Sequence, residues 1–253
     1  MPFAGLGLHI LLALLCAVHV VRSGQPLYWL FILFAFPLLG SLVYFFAVFL
    51  PTSRLERGAM KAVSAAARAI DPQRDVRAAR AEYEQTPTVQ NQMRLAAALL
   101  DTGEAEESAR LYAAGLQGPF AEDPEMRLGA ARACVECQRF AEALPHVQAV
   151  QASRPDYRPD TAQLLLARAL AGAGQATEAR EAFERAIERH GTFEAHAEYQ
   201  IWALATGDSA TAARLQTQID RMMSQWNPMS RELNAEPLRR LRAAQQLARS
   251  RSG

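Results

Sequence analysis

Lysine is almost missing from this chain: Lys61 stands alone, and arginine supplies the remaining positive charge. Cysteine is scarce, at Cys16, Cys134 and Cys137. Charge itself is missing from the first 50 residues except at Arg22, so all 26 acids and 26 of the 27 bases lie in residues 51–253. That later part is formally neutral. It has no surplus of cations to displace phosphate counterions, which argues against nucleic acid as the main partner.

The chemistry-bearing residues are also too few or too scattered for a reactive centre. Structural zinc needs four ligands. Cys134 and Cys137 form a Cys-x-x-Cys pair, but Cys16 sits in an apolar run, and with His146 only three ligands are in view. A redox pair of the thioredoxin kind opens a helix after a strand, whereas this pair falls inside an expected helix. Cys134 occupies a packing position there, so burial as a small apolar residue is expected. His9, His19, His190 and His196 do not gather with it. No Gly-rich phosphate loop, Ser-His-Asp set or carboxylate pair stands out. The chain is expected to be no enzyme and to use no cofactor or metal.

What is present begins with two apolar runs. Met1 to Val21 is an uncharged stretch of 21 residues, and Leu27 to Leu50 another of 24. Each is long enough to cross a hydrocarbon core of about 30 Å as a helix. A cleaved signal peptide would want a basic beginning and a shorter apolar centre. A lipoprotein signal ending at Cys16 would want small residues where Leu14 and Leu15 stand. Arg22 to Pro26 forms the short polar turn between the runs. Arg54, Arg57, Lys61, Arg68, Arg74, Arg77 and Arg80 follow the second run. The positive-inside rule therefore places residues after 50, and the amino terminus, on the cytoplasmic side of a bacterial inner membrane. Residues 1–50 read as a transmembrane hairpin, 51–87 as a helical linker.

Between Thr88 and Pro228 one phrase recurs four times. The turn residues Gly103, Gln138, Gly174 and Gly207 lie 35, 36 and 33 residues apart. A period near 34 built from helix, turn and helix signals a stacked helical repeat. The third copy carries Leu166, Ala167, Leu170, Gly174, Ala179, Phe183 and Ala186. The first carries Leu95, Ala96, Leu99, Gly103 and Tyr112, with Ser108 and Gly115 where alanine is usual. The second keeps Ala131 and Ala143, with Cys134 and Val147 at larger positions. The fourth keeps Tyr199, Gly207 and Ala212, while Gln200 and Gln216 depart from the pattern. Small residues let paired helices approach and large ones fill the space between pairs.

These residues resemble the tetratricopeptide repeat. The resemblance implies an all-α fold: an α-solenoid of about four helix pairs over residues 88–228, capped by a last helix in residues 229–253. That helix is expected over Ser230 to Ser250, with Leu233, Leu238, Leu241 and Leu247 as its apolar side. In this family the first helix of each pair lines a groove that takes extended peptides or partner helices. The resemblance assigns to the groove Gln90, Met93 and Ala97; Glu125, Leu128 and Arg132; Thr161, Leu164 and Arg168; and Glu194, Ala197 and Ile201. Arg132 and Arg168 occupy equivalent positions. They are expected either to receive a partner's carboxylates or to pair with Glu125 and Glu136 within the array.

Trp29, Pro37, Gly40 and Tyr44 resemble the amino-terminal two-span segment of cardiolipin synthases. That family's His-x-Lys-x-x-x-x-Asp motif is missing, so the resemblance implies a shared hairpin and no lipid synthesis. The expected function is a membrane-anchored adaptor for a protein or peptide partner. The alternative is a non-catalytic regulatory subunit of an envelope lipid or polysaccharide enzyme.

Overall fold

The computed structural model describes residues 71–252, and all regular structure among them is α-helical. The residues from Asp75 onward form one compact unit. The expected membrane hairpin and most of the expected linker lie outside the described residues. Among the described residues no helix is long and apolar enough to cross a membrane.

The helices are α1 (Arg74–Gln85), α2 (Val89–Asp101), α3 (Ala105–Gly115), α4 (Pro124–Glu136), α5 (Phe140–Ser153) and α6 (Pro159–Gly172). Then come α7 (Ala176–His190), α8 (Phe193–Thr206), α9 (Ser209–Ser224), α10 (Pro228–Leu233) and α11 (Ala235–Ser252). Local chemistry sets many of the starts. Thr88, Asp123, Thr192, Asp208 and Asn227 each accept a hydrogen bond from a backbone N–H three residues on. These bonds satisfy donors that a helix start leaves without an internal partner.

Within each pair the turn is left-handed at one residue. Gly103, Gly174 and Gly207 have φ of 86°, 76° and 76°, and Gln138 takes the equivalent place at 59°. Glycine is free there because it lacks the Cβ that penalises this conformation; glutamine is not.

The pairs α2–α3, α4–α5, α6–α7 and α8–α9 stack in sequence, and the first helices α2, α4, α6 and α8 also touch one another. This is an all-α solenoid of the tetratricopeptide-like kind. Small residues permit the approach: Ala96, Ala131, Ala167, Ala179 and Ala186 are at most 1% exposed. Large ones fill the gaps between pairs, as where Phe183 of α7 stacks on Tyr199 of α8 at 5.0 Å. Tyr112 of α3 lies so close to Gly129 of α4 that an added Cβ would sit 2.3 Å from its ring.

Polar residues that depart from the repeat pattern find hydrogen-bond partners for their donors, while the Gln200 Oε1 atom is buried without one. Ser108, fully buried, donates its hydroxyl to the Ala96 carbonyl at 2.7 Å. Gln200 donates to the Ala212 carbonyl at 3.0 Å and to Gln216 at 2.9 Å. A buried polar group without such a partner would cost about 1–3 kcal/mol.

At the front, Val76 and Ala79 of α1 are buried with Leu95 and Leu99 of α2. At the back, the single helix expected over Ser230–Ser250 is two helices. The Asn234 side chain turns back to the Ser230 carbonyl at 2.8 Å, and Pro237 has no N–H to continue a helix through the break. The expected apolar side is corrected as well. Leu241 is 1% exposed against Phe193, Ala197 and Ile219, with Leu238 beside it, but Leu233 and Leu247 are 74% and 61% exposed. The break at Asn234 puts Leu233 on a different helix from Leu241.

Candidate functional site: a groove along the first helices

A groove of about 1020 Å³ runs across α2, α4 and α6 to the start of α8, and α10–α11 enters its far side. Its floor is apolar, with Leu128 and Leu164 nearly buried at 5% and 8% exposure. Its sides are charged, because the first turns of α4, α6 and α8 bring Glu125, Asp160 and Glu194 while mid-helix positions bring Arg132 and Arg168.

Eight of the expected groove residues line it: Ala97, Glu125, Leu128, Arg132, Thr161, Leu164, Arg168 and Glu194. The other four lie elsewhere. Gln90 is exposed in the first turn of α2, and Met93 packs with the core around Leu100 and Tyr112. Ala197 is fully buried in the cluster that holds Leu241, and Ile201 packs against it. The helix α11 thus covers the part of α8 expected to be open.

The two equivalent arginines have different fates. Arg168 reaches Glu136 at 2.9 Å and Glu198 at 3.3 Å, and its side chain is 18% exposed. It pairs within the array, with Glu136 as expected and with Glu198 in addition. Burial works against its charge, but Glu198 and Glu136 more than offset this and hold its pKa above the ordinary arginine value. Among the described residues Arg132 forms its one ion pair with Asp101, at 3.5 Å, with both side chains more than half exposed. Such a pair is weak, worth about 0–1 kcal/mol. Glu125 pairs with Arg158 at 3.4 Å and accepts the Tyr157 hydroxyl, so it does not neutralise Arg132.

Sequence reasoning missed the contribution of the last helix. Arg240 lies 2.7 Å from Glu198 and 3.9 Å from Glu236. Glu198 is a buried carboxylate; burial raises its pKa, and the two arginines pull the other way. The Glu198 Oε1 atom makes no aligned hydrogen bond, so its contact with Arg240 is an ion pair rather than a directed bond. Glu236 and Arg240 at i,i+4 were the sequence signal for this edge. Nothing in the sequence spacing joined them to Glu198.

The described fold is similar to that of MamA. A structure titled MamA 41-end from Desulfovibrio magneticus RS-1 matches 69% of this chain and 99% of its own, with a TM-score of 0.50 at 18% identity. One titled MamA RS-1 ArsTM double mutant matches 70% of this chain and 98% of its own, with a TM-score of 0.51 at 17% identity. No protein-family model matches the chain. No curated protein is similar to it in sequence. At these identities the likeness speaks to the fold, a helical solenoid.

Cys134 is part of the packed core, and Cys137 lies partly buried against the neighbouring cluster. Cys134 is buried in the cluster around Val147, and burial raises its pKa. Burial and then Glu106 push the Cys137 thiol up to about 11. Among the described residues no three His, Cys, Asp or Glu side chains gather as a metal site would require.

Proposed function

We propose that this chain is a membrane-anchored scaffold that holds a protein or peptide partner in the groove along its first helices. The observation that carries this is Arg132: a guanidinium above an apolar floor of Leu128 and Leu164, with only a loose carboxylate at 3.5 Å. Apolar surface supplies affinity, and an under-neutralised guanidinium selects a carboxylate bidentately. Tetratricopeptide-like solenoids use this groove for extended peptides or partner helices, which supports the same reading. The proposal includes no reaction, cofactor or metal. The two leading apolar runs moor the scaffold in an inner membrane, with the solenoid on the cytoplasmic side. Confinement to a surface raises the effective concentration of membrane partners.

Affinity capture of the full chain in mild detergent tests it. A partner recovered with the native chain should be lost from Leu128→Asp and weakened in Arg132→Glu. Retention of every partner by both variants, with helix content unchanged, would overturn the groove as the binding surface.

A further inference from the structure

We propose that a second site, away from the groove, binds a phosphate-type oxyanion. It is a cleft of about 330 Å³ where the end of α5, the start of α6 and the end of α7 meet. Arg185, Arg189 and His190 line it together with Gln151, Gln163, Pro155 and Pro159, and no carboxylate does.

The positive charge in this cleft is poorly compensated. Arg185 reaches Glu181 at 3.5 Å, and Arg189 and His190 form no ion pair among the described residues. Arg185 and Arg189 stand one helical turn apart, where like charges repel. An anion between them relieves that repulsion, and two guanidiniums with an imidazole match the donor needs of a tetrahedral oxyanion.

The repeat itself does not call for these residues. By the spacing of the turn residues, Arg185 corresponds to Ala114, Ala149 and Gln218, and Arg189 to Gly118, Ser153 and Met222. A helix end does favour cations. Yet α3 and α5, the equivalent helices of the first two pairs, carry no base in their last turns. The wall is also fixed in place: Gln163 accepts from Gln151 at 3.3 Å and donates to the Ala182 carbonyl at 3.0 Å. Two prolines flank it, and they restrict the backbone where the ligand would enter.

The test uses the full chain in detergent micelles with labelled histidine rings, His190 being assigned by a His190→Gln variant. Inorganic phosphate is titrated against sodium chloride of equal ionic strength, and soluble dihexanoyl phosphatidic acid forms a parallel arm. Saturable movement of the His190 ring signals with phosphate, but not with chloride, is expected. The His146 signals, from the second pair, should stay still. Arg189→Gln should weaken the apparent affinity about tenfold or more, and Arg189→Lys less. Saturation by the phosphatidic acid as well would identify a lipid headgroup as an acceptable source of the anion; saturation by phosphate alone would identify a free one. His190 movement no greater with phosphate than with chloride overturns the proposal. So does full retention of the response in Arg185→Gln/Arg189→Gln, provided helix content is unchanged. Neither outcome bears on partner capture by the groove.

Discussion

Arg240 sets its guanidinium 2.7 Å from Glu198, a carboxylate only 6% exposed, and so ties the last helix to α8 across 42 residues of chain. Arg168 reaches the same carboxylate from α6 at 3.3 Å and Glu136 of α4 at 2.9 Å. Four helices are thereby joined along one side of the groove by alternating charges. Buried charges are stabilised only when each has its partner; removing one leaves the other desolvated and alone.

The alternation makes Arg240→Ala costly: about 1–3 kcal/mol of stability, because Glu198 then stays buried with one arginine in place of two. Glu198→Gln in the same chain should recover part of the loss, since it removes the uncompensated charge. Chemical denaturation of the full chain and the two variants reads both effects. Equal losses that simply add would mean that the two side chains are not coupled.

The second turn offers a stabilising change. Gln138 holds φ at 59°, where the three equivalent turns have glycine. Gln138→Gly should raise stability by about 1 kcal/mol, because the left-handed conformation no longer strains a Cβ. A shift of the denaturation midpoint upward checks it, and Gly174→Gln should shift the midpoint the other way.

Close packing between the first two pairs depends on the missing side chain at Gly129. Gly129→Ala places a methyl about where the Tyr112 ring now lies, 2.3 Å away. Overpacking of this kind costs about 1–3 kcal/mol. Tyr112→Leu in the same chain should return part of that loss by vacating the ring position, a rescue visible in thermal melts.

Mild acid should weaken the second pair. Burial, and then the neighbouring Arg127, hold the His146 imidazole below its ordinary pKa of 6.5. The unfolded chain therefore takes up the proton first, so the stability His146 contributes is present above pH 6.5 and is lost as pH falls below it. The native chain should lose more stability between pH 7 and pH 5 than His146→Gln does. Parallel denaturation series at the two pH values measure the difference.

Much of the solenoid was legible in the sequence. The turn residues Gly103, Gln138, Gly174 and Gly207 marked the register, and all four adopt the left-handed conformation that turn demands. Alanines such as Ala167 and Ala179 marked the close approaches, because burial without bulk has few other solutions. The mismatched positions were less transparent. Ser108, Gln200 and Gln216 read as decay of the pattern, and it takes the folded chain to show that each finds a hydrogen-bond partner.

The groove was legible where it depends on repeat position and hidden where it depends on the last helix. Leu128, Leu164 and Arg132 fall where equivalent positions predicted. Ala197 and Ile201 do not, because Leu238 and Leu241 of α11 pack with the cluster that holds them. Periodicity reports which face of a helix is apolar, and Leu233 and Leu247 satisfied it on paper. The helix break at Asn234 separated Leu233 from that face, and Leu247 stays 61% exposed on α11.

Site-specific photo-crosslinking in intact membranes tests the central claim most directly. A photoreactive side chain replaces Ala97, which is exposed and lines the groove, or Ala113, which is exposed on α3 and does not line it. The account predicts a discrete crosslinked protein from position 97 and none from position 113, with the crosslink lost in the Leu128→Asp background. Equal crosslinking from both positions, or crosslinking from position 113 alone, would contradict it.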